Sequence, residues 1–178
     1  MSLAFIALGA NLPSPAGPPD ATLAAVLPLL AANGHITARS SLYSTAPVGS
    51  RPDFTDQPRF LNAVVALSTD LPPRILLDAL LSIERHFGRD RSAALPNGPR
   101  TLDLDLLLYG DLVLSEFDLE IPHPRFAQRA FVLVPLVEIA PNTVDPRSGI
   151  TASQLLANLA PADPGAVVRI ASPLWPTD

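Results

Sequence analysis

The chain has 178 residues, enough for one domain with a sizeable core, and 48% of them are apolar, yet no uninterrupted apolar run approaches the ~20 residues a membrane span needs. There is no cysteine, which excludes disulfides, thiolate catalysis and Cys-based zinc sites. The net charge of −5 argues against nonspecific nucleic-acid binding, and all twelve positive residues are arginine, so a P-loop lysine and a Schiff-base amine are excluded as well.

The first residues, Met-Ser-Leu-Ala-Phe-Ile-Ala-Leu-Gly, lack a basic leader and predict a buried strand over 3–9, not a signal peptide. A Pro/Gly-rich loop over 13–19 follows, with Asp20 placed as the N-cap of an Ala/Leu-rich helix that stops near Asn33-Gly34. Residues 36–45 carry the branched, alternating content of one strand. The loop over 46–58 is long and carries several prolines, and structureless loops of that length in compact domains are often functional.

Another strand is predicted over 60–68. Asp70-Leu-Pro-Pro then opens a helix whose apolar positions, Ile75, Leu76, Ala79, Leu80, Ile83 and Phe87, keep helical spacing until Gly88. A loop over 89–100, rich in Arg, Pro and Ala, leads into a strand over 101–109, from which Tyr-Gly-Asp is expected to turn the chain into a partner strand at 112–114. Ile121-Pro-His-Pro begins a turn, a short helix is predicted at 125–129 and a helical segment at 131–139, and a helix (151–159) and a strand (167–171) close the chain. The order strand, helix, strand, strand, helix, strand gives an α+β fold. It is a ferredoxin-like βαββαβ core, with helices packed on an antiparallel sheet and C-terminal additions, in one domain spanning 1–178.

The most informative stretch is Gly98-Pro-Arg-Thr-Leu-Asp-Leu-Asp-Leu-Leu-Leu-Tyr109. Strands alternate faces with a period of two, so Asp103 and Asp105 point to one side and Leu102, Leu104 and Leu106 to the other. Two unpaired carboxylates side by side are costly to desolvate and call for a cation. Hard carboxylate oxygens suit Mg²⁺ ions that also bridge phosphate oxygens, whereas the bland alternative is a solvated strand edge. Arg89, Arg91 and Arg100 bracket the preceding loop and suit phosphate, which in a chain without lysine falls to the planar fork of arginine. His123 between two prolines and Arg129 form a third group, open either to phosphate contact or to a structural turn. A fourth comprises Thr45, Pro47, Val48 and Gly49 with Gln57, Phe60 and Asn62. Here an amide can read a heterocycle edge and a ring can stack on its face, or both can be ordinary core residues.

Taken together these groups resemble the 6-hydroxymethyl-7,8-dihydropterin pyrophosphokinase family. The matching segments, in order, are Gly9-Ala-Asn-Leu12, Thr45-Ala-Pro-Val-Gly49, Gln57-Pro-Arg-Phe-Leu-Asn-Ala63, Ile83-Glu84, Gly88-Arg89, Gly98-Pro-Arg-Thr-Leu-Asp-Leu-Asp105, Ile121-Pro-His-Pro124 and Arg129-Ala-Phe131. The resemblance implies transfer of the β,γ-diphosphate of ATP to the hydroxymethyl group of the pterin, releasing AMP, in folate biosynthesis. It implies Asp103 and Asp105 as ligands of two Mg²⁺ ions, and Glu84, Arg89, Arg91, Arg100, His123 and Arg129 as ATP contacts, with Arg89 and Arg100 acting in the transition state. Thr45, Pro47, Val48 and Asn62 take pterin-reading positions, and Phe60 and Phe131 are the rings that sandwich the pterin. The two long loops are expected to close over ATP and exclude water. The implied enzyme is a cytoplasmic monomer acting on small molecules, with no nucleic-acid or membrane partner.

Three features depart from the family pattern: Gly-Ala-Asn stands where Gly-Ser-Asn is usual, the loops at 13–19 and 50–56 look extended, and Asn97 occupies a position that often holds an aromatic. Two other readings of the residues stay open. An Asp-x-Asp pair can hold the metal of a nucleotide-sugar glycosyltransferase, which would sit in a larger doubly wound α/β domain. A ferredoxin-like sheet can also serve as a binding module without chemistry.

Overall fold

A computed structural model describes residues 1–47, 57–90, 98–159 and 166–175. The chain opens on β1 (Ser2–Ala10), α1 (Pro19–Ala31), β2 (His35–Arg39), β3 (Leu42–Thr45), β4 (Phe60–Thr69) and α2 (Pro73–His86). It continues through β5 (Asp103–Tyr109), β6 (Leu114–Ser115), β7 (Glu120–Ile121), α3 (Ala130–Ile139), α4 (Ala152–Asn158) and β8 (Val167–Ile170). Among the described residues the main sheet runs β5-β1-β4-β3-β8 with β2 also on β4, and every pairing in it is antiparallel. The ferredoxin-like α+β arrangement expected from the sequence is therefore present, and a doubly wound parallel sheet is excluded.

β1 is an interior strand between β5 and β4 and is buried on both faces, which is why it reads as a near-continuous apolar run. One face packs Ile6, Leu8, Leu67, Leu104 and Leu106 against Leu23 and Leu30 of α1 and Leu76 and Leu80 of α2. α2 buries Leu76, Leu80, Ile83 and Glu84, the stripe that helical spacing dictates. The other face packs Phe5, Val64 and Leu107 against Val132, Leu133 and Leu136 of α3. Asp103 and Asp105 lie on this second face with Leu107, beyond the end of the apolar cover.

Three expectations are corrected. Asp20 is not the N-cap of α1; Pro18 is, with Pro at the first helical position, where its fixed φ is already helical and its missing N–H costs nothing. Asp20 sits in the first turn, and its Oδ2 accepts from Ser172 Oγ at 2.8 Å. The strand drawn over 36–45 is two strands, β2 and β3, parted at Ser40-Ser41. There the Ser40 hydroxyl donates to Ser41 O and accepts from Val64 N, so side-chain bonds replace part of the ladder. The Tyr109 turn does not fold a partner strand back onto β5: Gly110 N donates to Leu3 O on β1, and the following residues form β6, which pairs with β7.

Candidate active site

The antiparallel register sets Asn62 of β4 opposite Gly9 of β1, and Gly9 opposite Asp103 of β5. These three positions form one row across the sheet, and Asp105, opposite Ala7, lies in the next. Gly9 leaves the floor of this row bare, since a Cβ there would stand 3.2 Å from Asn62 Oδ1 and 3.9 Å from Asp103 Cβ. A cleft results, lined by Ala7, Gly9, Asn62, Asp103, Asp105 and Phe131 among others.

One end of the row is neutral and polar. Asn62 and Thr45 are both buried, and Asn62 Nδ2 donates to Thr45 Oγ1 at 2.7 Å. That bond fixes the amide and leaves Asn62 Oδ1 as acceptor beside the bare Gly9, with the Thr45 hydroxyl proton still to be placed. Thr45 is paired with Phe60 across β3 and β4, so the buried Phe60 ring flanks the same end.

The other end is charged. Arg100 donates from NH1 to Asp103 Oδ2 at 2.8 Å, and Arg89 NH2 stands 3.6 Å from Asp103 Oδ1. Arg129 NH1 lies 3.6 Å and His123 Nε2 3.9 Å from Asp105 Oδ2. The cations that meet the carboxylates are thus arginines on three different segments. Arg100 Nε and Thr101 Oγ1 are buried with no hydrogen-bond partner among the described residues, and buried donors of that kind ordinarily have one. His123 Nδ1 accepts from Arg125 N at 3.1 Å, which leaves the proton on Nε2, facing Asp105. Burial first, then Arg129 and Arg125, push its pKa down to about 4, so the ring is neutral at pH 7. The same burial lowers the Arg129 pKa.

Two positions shape the site from behind. Glu84 is buried, and its Oε1 accepts from Leu104 N at 2.8 Å, so it holds the outer edge of β5 at the residue between the two aspartates. Asn11 is a residue to which the sequence gave no individual role. It is 3% exposed, accepts from Arg100 N at 2.8 Å, and donates to Pro58 O at 3.0 Å and Gln57 Oε1 at 3.2 Å. It thereby joins the ends of both long loops to β1. The available signal was a polar residue closing an apolar strand inside Gly9-Ala-Asn-Leu12. Pro47 lies two residues beyond Thr45, half-buried. Val48 and Arg91, together with Gly49, Asn97 and the loop over 50–56, fall outside the described residues.

The family model for 7,8-dihydro-6-hydroxymethylpterin-pyrophosphokinase (HPPK) matches residues 5–141. The chain belongs to this family. A 2-amino-4-hydroxy-6-hydroxymethyldihydropteridine pyrophosphokinase of Haemophilus influenzae is 44% identical over 150 residues, 84% of this chain and 89% of that one. A protein of the same name from Methylorubrum extorquens is 42% identical over 172 residues, 96% of this chain and 99% of its own. HPPK-DHPS of Plasmodium falciparum superposes with a TM-score of 0.67 at 16% identity, covering 88% of this chain and 44% of that longer one, a likeness of fold. The match over 5–141 spans every described site residue from Gly9 to Phe131.

Proposed function

We propose that this member of the family transfers the β,γ-diphosphate of ATP to the hydroxymethyl group of 6-hydroxymethyl-7,8-dihydropterin, releasing AMP, as the pyrophosphokinase step of folate synthesis. The observation that carries the reading is the single row of Asn62, Gly9 and Asp103. It puts a paired amide and hydroxyl, suited to a heterocycle edge, two strand spacings (~10 Å) from a carboxylate pair ringed by arginine. A pterin seated on the Asn62 and Thr45 end, with Phe60 and Phe131 as its walls, extends its hydroxymethyl group over Gly9 toward the charged end. Pro47 and Val48, which follow Thr45 in the chain, are assigned to the same pterin contacts.

Among the described residues no group of three or more His, Cys, Asp or Glu forms a cage for a metal. Mg²⁺ does not need one: it keeps its waters and binds through one or two carboxylates plus substrate phosphates. Asp103 and Asp105 on one strand face fit that demand and would hold two Mg²⁺ ions. When bound, these would neutralise phosphate charge and align the attacking and leaving oxygens. The protein's own residues supply orientation and charge. Arg100 and Arg89 approach from the Asp103 side and Arg129 from the Asp105 side, and Arg91 belongs to the same loop. His123 offers a neutral Nε2–H to a phosphate oxygen. Phosphoryl-type transfer leaves little covalent work to the protein, so in-line placement and charge neutralisation carry the reaction. Glu84 contributes to the nucleotide site through the strand it holds. No described helix is long and apolar enough to cross a membrane, and the proposed enzyme is a cytoplasmic monomer acting as one domain over 1–178.

The test is product analysis. ATP, 6-hydroxymethyl-7,8-dihydropterin and Mg²⁺ are expected to give AMP in step with pterin diphosphate, and chelation is expected to stop the reaction. ADP as product, or no turnover with Mg²⁺ present, overturns the reading.

A further inference from the structure

Each of the two rings assigned to the pterin walls also carries an arginine. Arg100 Cζ lies 5.1 Å from the centroid of Phe60, and Arg129 Cζ lies 5.5 Å from the centroid of Phe131. The same two arginines are among the partners of the two aspartates, Arg100 on Asp103 at 2.8 Å and Arg129 on Asp105 at 3.6 Å. The arrangement aspartate, arginine, ring therefore occurs twice in one cleft, built from unrelated segments. In one copy the arginine and the ring are forty residues apart in sequence, on β4 and on the residues before β5. In the other they are two residues apart, at the start of α3.

A guanidinium held this way is constrained in two directions. Its plane is attracted to the electron-rich face of the ring, while one edge points to the carboxylate. The remaining N–H groups, Arg100 Nε among them, are left for a further acceptor. Both arginine side chains are about one-fifth exposed, at 21% for Arg100 and 18% for Arg129, so water competes weakly for the ring-facing side.

We infer that Phe60 and Phe131 are positioning residues for the two phosphate-binding arginines in addition to walls for the pterin, so that nucleotide affinity depends on the π faces of both rings even when no pterin is bound. The inference rests on the proposed assignment of Arg100 and Arg129 to ATP. It ties the two substrate subsites together through shared side chains: whatever alters a ring alters the cation that meets the phosphates.

The test changes ring electronics without changing ring shape. Phenylalanine at 131, and separately at 60, is replaced site-specifically by mono-, di- and trifluorophenylalanine. The Kd of a non-hydrolysable ATP analogue with Mg²⁺ is then measured by calorimetry with no pterin present. The expected result is stepwise weakening with each fluorine, about two- to five-fold at the trifluoro ring, and no such trend in an Arg129→Ala or Arg100→Ala background respectively. A packing role alone would leave the series flat. If Arg129→Ala and Arg100→Ala weaken nucleotide binding while both fluorine series stay flat, the ring inference falls and the phosphate assignment stands. If those arginine variants, or the parent protein itself, show no arginine-dependent nucleotide binding, the assignment falls and takes the inference with it.

Discussion

Asn11→Ala is the substitution that most directly probes how the two long loops are joined to β1. The side chain makes three hydrogen bonds, accepting from Arg100 N at 2.8 Å and donating to Pro58 O at 3.0 Å and Gln57 Oε1 at 3.2 Å. Alanine removes all three, whereas the backbone bonds from Asn11 N and Leu12 N to Arg100 O survive. Pro58 is exposed and Gln57 half-exposed, so water replaces those partners at little cost. Arg100 N is only part-buried, and the net loss comes to about 2 kcal/mol, toward the low end for three neutral hydrogen bonds. For a chain of this size that is a fall in Tm of about 4–8 °C. Turnover should fall further than stability accounts for, because Arg100 loses one of the three bonds that fix its backbone beside Asp103. Asn11→Asp keeps the acceptor for Arg100 N but loses both donors, and should retain more activity than the alanine variant. Thermal unfolding and AMP production measured on the same preparations decide the matter. An alanine variant within about 1 °C of the parent and equally active would refute the reasoning.

Asp105→Ala should abolish turnover while changing stability by less than about 1 kcal/mol, because its charged neighbours stand 3.6 and 3.9 Å away and it opens no core cavity; loss of cooperative unfolding in a denaturant titration would make the residue structural. Asn62→Ala should weaken pterin binding far more than ATP binding in parallel calorimetric titrations, since it removes the amide paired with Thr45, and equal losses for both ligands would count against the assignment. His123 gives a pH prediction. Its folded-state pKa is lowered by burial to about 4, so its contribution is complete above pH ~6.5 and is lost progressively as the pH falls toward 4, where the unfolded chain takes up the proton first. Discounted for partial exposure, the loss is about 1–2 kcal/mol. Chemical denaturation in EDTA at pH 7.5 and 5 should show that much less pH dependence in His123→Gln than in the parent, and identical profiles would remove His123 as the cause.

Much of the fold was legible because its signals are local. The spacing Leu76, Leu80, Ile83 fixes α2 and its buried face, and the period of two along Leu104, Asp105 and Leu106 fixes which way the carboxylates point. What escaped depends on distant partners. Nothing in Ser40-Ser41 announces a break in a strand. The break exists because the Ser40 hydroxyl finds Val64 N, and because Ser41 N and Oγ donate to Glu138 on α3 at 2.8 and 2.7 Å. The hairpin drawn after Tyr109 failed for a similar reason. β5 is engaged at Leu104 by Glu84 and at Leu107 by His123 N, which donates to Leu107 O at 2.8 Å, while Arg74 on α2 holds the β6–β7 hairpin through Glu116 and Asp118, each at 2.6 Å.

The site divides along the same line. That Asp103 and Asp105 share a face and need positive company follows from the sequence, but which cation supplies it does not. In the fold, Arg89, Arg100 and Arg129 converge on the pair from the end of α2, the start of β5 and the start of α3. Three guanidinium groups against two carboxylates make this cleft a cationic patch on a chain whose net charge is −5. The overall charge that argued against nucleic acid therefore says nothing against a phosphate ligand, because binding responds to the local field in the cleft. Gly9 makes the complementary point. Its contribution is the side chain it lacks, since any Cβ would fill the space between Asn62 and Asp103. Only the register of β4, β1 and β5 shows that this absence joins the neutral Asn62 and Thr45 end of the cleft to the arginine-lined end.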